Sequence, residues 1–260
     1  MPLVFRRRTP NKIFYGWWIV AALFLAEFTA AGAGTFTFGL YLKPMSEDLG
    51  WSRAQVVAAL TFRSIITFFV APIIGSLLDK YGPRVIVMVG ASIGGIALIS
   101  LSVMDSLWHW FLAYGIGGAL GLGLTGALVT QTTVSKWFVR QRGRAIAITS
   151  FGIGFGGMVM SPITQIIISN FGWREAWLIF GLMMLIVTLP TAFFILRRSP
   201  EDMGLLPDGD IEDDTTGSNP SGVTSKARQE ISWTVAEAIR TPTLWLMVAA
   251  FSVNGLALSQ

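Results

Sequence analysis

The chain has 260 residues, of which 53% are hydrophobic and only 13% charged, with a formal net charge of +4 and a mean hydropathy of +0.61. Soluble domains carry about 25% charged residues, so the composition excludes an ordinary soluble domain. Its uncharged runs are too long and too uniform for β-barrel strands of about 10 alternating residues, and the absence of cysteine excludes disulfides and thiolate metal sites.

Residues 1–12 are a basic tail carrying Arg6, Arg7, Arg8 and Lys12. The apolar run that follows is longer than the 7–15 residues of a signal-peptide core, so it reads as a retained first span. A helix crosses a hydrocarbon core of about 30 Å in about 20 residues. Six segments meet that length: 13–42, 54–78, 85–104, 110–135, 145–173 and 176–196. The last four contain no Asp, Glu, Lys or Arg; the first two hold one interior charge each, Glu27 and Arg63. The connections near Asp79–Arg84 and Asp105–His109 are short, which predicts antiparallel neighbours.

Residues 199–242 change character, with Pro, Gly, Ser and the acidic run "DGDIEDD", and predict a cytoplasmic linker. Within it "SWTVAEAIRTP" predicts a short amphipathic helix capped by Ser232. Residues 243–260 predict the start of a seventh span, cut off at Gln260. The expected division is therefore 1–12 tail, 13–198 six-helix bundle, 199–242 linker and 243–260 partial span.

Lys and Arg sort to one side of these spans. The tail, Lys80 and Arg84, Lys136, Arg140, Arg142 and Arg144, and Arg197 and Arg198 lie on one side, against Lys43, Arg53 and Arg174 on the other. The positive-inside rule puts the N-terminus and the linker in the cytoplasm, in a protein expected in the plasma membrane. The basic balance needs no nucleic-acid partner.

Two stretches fit G-x-G-x-x-G: Gly152, Gly154 and Gly157, and Gly121, Gly123 and Gly126. Dinucleotide binding needs a strand before the glycines and an acid about 20 residues on. Both matches lie inside uncharged runs. Gly152 and Gly156, Gly117 and Gly121, and Gly90 and Gly94 are each four apart. That spacing puts small residues on one helix face and lets membrane helices pack closely. Pro162 and Pro190 predict kinks in the fifth and sixth spans.

"GSLLDKYGPR" joins the second and third spans. Gly75 is expected at a close helix approach, Asp79 at a helix N-terminus or paired with Lys or Arg, and Gly82 with Pro83 in a tight turn. The stretch resembles the loop signature of the major facilitator superfamily, roughly G-x-x-x-D-[RK]-x-G-x-[RK], through Gly75, Asp79, Lys80, Gly82 and Arg84. "YGWWIV", "GLYLKPMSEDLGWSRAQ" and "FGWREAWLIFG" resemble its monocarboxylate-carrier and oxalate–formate-antiporter branch; "RGRAIAITSFGIGFGGMVMSP" resembles the superfamily's helix 4–5 loop and glycine-rich helix 5. The resemblance covers nearly the whole chain. It implies an all-α membrane bundle of two three-helix inverted repeats, the N-terminal half of a twelve-helix transporter. It also implies that the loop latches the two halves on the cytoplasmic side.

An ionisable group in hydrocarbon marks function by default. Counted from Gly16, Glu27 lies roughly 16 Å deep at about 1.5 Å per residue, and Arg63 counted from Arg53 about 15 Å. One reading gives Arg63 an anionic substrate, since its donors can hold a carboxylate bidentately, and Glu27 a coupling proton. The other is a structural Glu27–Arg63 pair, or a snorkelling arginine. Thr125, Thr130, Gln131 and Thr132 either line a polar path or bond to backbone or to neighbouring helices, with Gln131 taken as a coupling or substrate candidate. His109, the single histidine, sits between Trp108 and Trp110 in an interfacial aromatic belt. No cluster of metal ligands and no cofactor motif is expected.

These readings converge on secondary active transport of a small organic anion, such as a monocarboxylate or dicarboxylate, coupled to a proton or a counter-substrate. The partners expected are the lipid bilayer, the substrate and the missing C-terminal six-helix half. A transporter of a drug or sugar, a membrane sensor and a membrane enzyme are the alternatives; the last would need clustered catalytic groups.

Overall fold

The computed structural model describes residues 14–34, 36–209 and 241. The described helices lie in one compact unit, Met1–Glu212; of a second unit, Asp213–Gln260, only Thr241 is described. The basic tail, most of the linker, its amphipathic segment and the seventh apolar run fall outside the described residues.

Among the described residues the structure is all helix, with no strand. In chain order the elements are α1 (Gly16–Gly34), α2 (Phe38–Leu49), α3 (Arg53–Leu101), α4 (Leu107–Trp137), α5 (Arg142–Phe171) and α6 (Trp173–Ile195). The last four are each long and apolar enough to cross a membrane, while the apolar part of α1, Gly16–Gly32, is shorter.

A straight helix of 49 residues, the length of α3, would reach about 74 Å, more than twice the hydrocarbon thickness. α3 turns instead at Gly82, whose φ of 77° and ψ of 166° suit a residue without Cβ. Contacts with α4 show the reversal. Phe62 lies against Gly115 and Ile74 against Gly123, so the first limb runs parallel to α4. Ala97 lies against Gly117, Gly94 against Gly121 and Leu124 against Gly90, so the second limb runs antiparallel. α3 thus supplies the second and third predicted spans. The first predicted span is not one helix: α1 ends at Gly34 and α2 begins at Phe38, with the Thr37 hydroxyl donating to the Gly32 carbonyl at 2.8 Å.

α1 and α5 pack in parallel with a constant offset. Phe24 meets Gly152, Phe28 meets Gly156 and Gly32 meets Met160. A Cβ on Gly152 would stand 2.7 Å from the Phe24 carbonyl oxygen, and one on Gly156 2.6 Å from that of Phe28. Between helices in lipid no hydrophobic drive exists, so such backbone approach supplies the packing energy. Gly75 differs from expectation: a Cβ there would meet nothing within 4 Å, so no helix approaches it closely.

Two helices are irregular near the middle. α4 contains a π turn at Phe111–Gly117 and breaks at Gly126, which is extended at φ −89° and ψ −170°. α6 contains a π turn at Met184–Thr188, just before Pro190. Proline has no N–H for the carbonyl four residues back, here Ile186 inside the π turn, and the widened coil absorbs that loss.

Polar ties close both ends. At one end Arg174, opening α6, donates from Nη1 to the carbonyls of Met104 (2.8 Å) and Ser102 (3.4 Å). Its Nη2 pairs with Asp105 at 2.8 Å and Asp48 at 3.5 Å. At the other end the Asp79 carboxylate pairs with Lys136 at 3.0 Å, and its carbonyl accepts from Arg198 Nη2 at 2.6 Å. The stretch after α6, expected as the start of a free linker, is anchored there. Asp208 accepts from the backbone N–H groups of Val139 (2.9 Å), Arg140 (2.7 Å) and Gln141 (3.3 Å).

Candidate functional site

Arg63 sits in the first limb of α3, between Ser64 and the bulky Phe62. Its stem crosses α4 where Gly118 leaves room: a Cβ on Gly118 would lie 3.4 Å from Arg63 Cδ. Nη1 donates to the Tyr114 hydroxyl at 3.0 Å, and the guanidinium carbon stands 4.9 Å from the Tyr114 ring centroid. Among the described residues it has no carboxylate partner.

Arg63 opens onto a groove of about 500 Å³ between α3 and α4. Ser64, Thr67, Phe68, Ala71 and Ile74 line one wall; Gly118, Leu122, Gly123, Gly126, Ala127 and Leu128 line the other. The hydroxyls of Ser64 and Thr67 donate to the carbonyls of Leu60 and Arg63, which leaves their oxygens as acceptors only. Arg63 is therefore the one charged group on a mostly apolar wall. Chemically the groove offers a cation, and a cation inside an apolar bundle attracts an anion.

Glu27 lies elsewhere. It is 4% exposed, and its Oε1 accepts from the Thr130 hydroxyl at 2.7 Å. Its Cβ stands 3.4 Å from the place a Cβ on Gly152 would take, so it is enclosed by α1, α4 and α5. It does not line the groove. The alternative of a Glu27–Arg63 pair is not met among the described residues, because each group is held by a different part of α4: Glu27 beyond the Gly126 break, Arg63 at the π turn. Gln131 is exposed, one turn beyond Ala127, and is not a wall residue. Thr125 is buried and bonds to the Gly121 carbonyl. Trp108 is 80% exposed beside His109, while Trp110 is fully buried.

The loop residues form a separate group. Asp79 and Lys136 are paired as above, Lys80 lies over the Tyr81 ring at 5.1 Å and Arg84 over the Phe193 ring at 4.4 Å. Gly82 makes the turn. Tyr114 is the residue that sequence reasoning missed. Its only signal was an aromatic ring among glycines, "AYGIGG", and no spacing rule says that this ring meets Arg63, 51 positions earlier.

The sequence matches the Major Facilitator Superfamily over residues 18–260. Over 245 residues it is 28% identical to the oxalate:formate antiporter of Oxalobacter formigenes, covering 94% of this chain and 52% of that protein. It is 28% identical over 188 residues to monocarboxylate transporter 11 of Homo sapiens, covering 72% and 40%. With monocarboxylate transporter 7 of Homo sapiens it shares 25% over 175 residues, covering 67% and 33%. The chain spans about half or less of these relatives' lengths. It is an integral membrane protein of apolar helices, and with a match that runs from its first helix through every described span, it belongs to the major facilitator superfamily.

Proposed function

We propose that this chain is the N-terminal bundle of a secondary active transporter for a small organic anion. One observation carries the reading: Arg63, deep in an apolar span, lines a groove and has no carboxylate partner among the described residues. An unpaired guanidinium in hydrocarbon is costly unless a ligand or water-filled cavity uses it. A bound carboxylate would meet its donors bidentately. The relatives' names, an oxalate:formate antiporter and monocarboxylate transporters, support the same substrate class.

In this reading the groove faces a second six-helix bundle, and rocking of one bundle against the other alternates access to a site near the midplane. Glu27 is the proton-carrying partner, and Gln131 belongs to the polar path one turn beyond the groove. The Gly75–Arg84 loop couples the bundles on the cytoplasmic side, supported by its motif and by an Asp79 side chain that is 73% exposed. The excess of Lys and Arg at the Asp79 end supports a cytoplasmic N-terminus, in the plasma membrane.

The test uses the product of the complete reading frame in proteoliposomes with labelled oxalate, formate and lactate. Arg63→Gln is expected to abolish uptake of whichever anion the parent carries, and Arg63→Lys to reduce it at least tenfold, since an ammonium lacks the planar fork. Uptake by both variants with unchanged half-saturation rejects the anion site.

A further inference from the structure

We infer that Tyr114 is the positioning residue of the anion site: its ring and hydroxyl hold the Arg63 guanidinium in one orientation, and the π turn of α4 carries it there. The inference rests on the reading of Arg63 given above.

An arginine side chain has rotamer entropy to lose when it is fixed. The wall beside it is mostly apolar, with Phe68, Ala71 and Ile74, and the Ser64 and Thr67 hydroxyls bond to carbonyls of their own helix rather than to the guanidinium. Tyr114 holds it twice, with the ring face 4.9 Å below the guanidinium carbon and the hydroxyl 3.0 Å from Nη1. Tyr114 is itself closely packed. It is 2% exposed, stacked on Trp110 at 4.4 Å, and flanked by Phe38 at 5.4 Å and Trp177 at 5.9 Å. Rings from three elements thus brace the one that holds the cation.

The geometry leaves a usable face. Nη1 is taken by the hydroxyl, while Nε and Nη2 have no partner among the described residues. Those two donors form one edge of the fork, the edge that holds a carboxylate bidentately. Pre-orienting it removes an ordering cost that a substrate would otherwise meet on binding.

The π turn, Phe111–Gly117, encloses Tyr114. It closes i→i+5 bonds and so carries one residue more than the α turn it replaces; such bulges concentrate at functional sites. Here the turn lets two faces of α4 work within a few residues. Gly115 and Gly118 receive Phe62 and the Arg63 stem from the first limb of α3, while Gly117 receives Ala97 from the second.

The experiment compares three variants of the complete reading-frame product in proteoliposomes, again with labelled oxalate, formate and lactate. Tyr114→Phe removes one oxygen and keeps the ring stack; its unfolding midpoint without anion checks that the fold is intact. Tyr41→Phe is the control. Tyr41 is fully buried in the same aromatic cluster, stacked on Trp177 at 4.0 Å, and its hydroxyl has no partner among the described residues. Arg63→Gln reports the underlying site. Tyr114→Phe is expected to raise half-saturation about fivefold with maximal rate nearly unchanged, and Tyr41→Phe to leave both alone. Equal effects of the two tyrosine variants reduce Tyr114 to a packing residue and overturn the inference. So does an unchanged half-saturation in Tyr114→Phe while Arg63→Gln is inactive. Normal uptake by Arg63→Gln overturns the anion site itself, and the role of Tyr114 with it.

Discussion

A carboxyl group enclosed by three membrane helices has few ways to be useful. Glu27 has one described partner, the Thr130 hydroxyl at 2.7 Å, and that hydroxyl also lies 3.1 Å from the Ala127 carbonyl. The one hydroxyl hydrogen is therefore contested by the Glu27 carboxyl and by a carbonyl of its own helix. Glu27→Gln keeps the size and an acceptor but removes the exchangeable proton. Uptake by this variant is expected to persist as anion exchange and to lose its response to an imposed pH gradient. The measurement is initial uptake with and without that gradient, and an intact gradient response removes Glu27 from coupling. Both Glu27 and Arg63 stand out in the sequence as single charges in apolar runs. Their pairings do not: Thr130 is marked only as a polar residue of the fourth span and Tyr114 not at all, because they lie 103 and 51 positions away and only the register between helices brings them together.

At the scale of elements, spacing announces a contact face but not its partner. Gly152 and Gly156 share a face by their i, i+4 spacing, and the structure sets that face on Phe24 and Phe28, themselves four apart. Gly75 lies in a comparable local context and meets open space. The difference comes from which helix passes by, and that is a property of the whole bundle. The π turns of α4 and α6 were equally invisible, although Pro190 marks the second. The α1–α5 contact makes a quantitative prediction. At Gly156 the clash of a larger side chain is with backbone, 2.6 Å from the Phe28 carbonyl oxygen, so no rotamer relieves it. Overpacking of this kind costs about 1–3 kcal/mol. Gly156→Val is expected to lower the unfolding midpoint in detergent by several degrees, while Gly154→Ala, with nothing within 4 Å of its new methyl, leaves it unchanged or slightly higher. Equal midpoints for the two variants would mean that α1 and α5 do not pack in this register.

Across the described residues, the all-helical class and the long apolar helices were readable because charge is missing in blocks as long as a bilayer is thick, although the first block divides into α1 and α2. Of the ties that hold the ends, the pairing of Asp79 with a basic residue was expected but not that Lys136 supplies it, and the others were not readable, because they run between loops far apart in sequence. Asp208 is the clearest case. Its composition context, Pro-Asp-Gly in a polar stretch, reads as a solvated turn, yet its backbone adopts φ 60° and its carboxylate accepts from three successive N–H groups before α5. Those donors precede the first turn of a 30-residue helix, where backbone N–H groups lack helical acceptors and the dipole favours an anion. Asp208 therefore gathers the N–H groups of the turn just before α5, from a segment that follows α6, and it pins that segment across the α4–α5 turn. Asp208→Ala removes all three bonds together. Amide exchange at 139–141 is expected to accelerate about tenfold, as for the loss of a net stabilisation near 1.4 kcal/mol. Asp208→Asn, which keeps one acceptor oxygen without the charge, should fall between the parent and Asp208→Ala. Exchange at Ser102–Asp105, tied by Arg174 at the opposite end, should not change in either variant. Acceleration at both ends would show that the whole bundle had loosened and that Asp208 has no local role; unchanged exchange at 139–141 would show that those amides are protected by the α4–α5 turn alone.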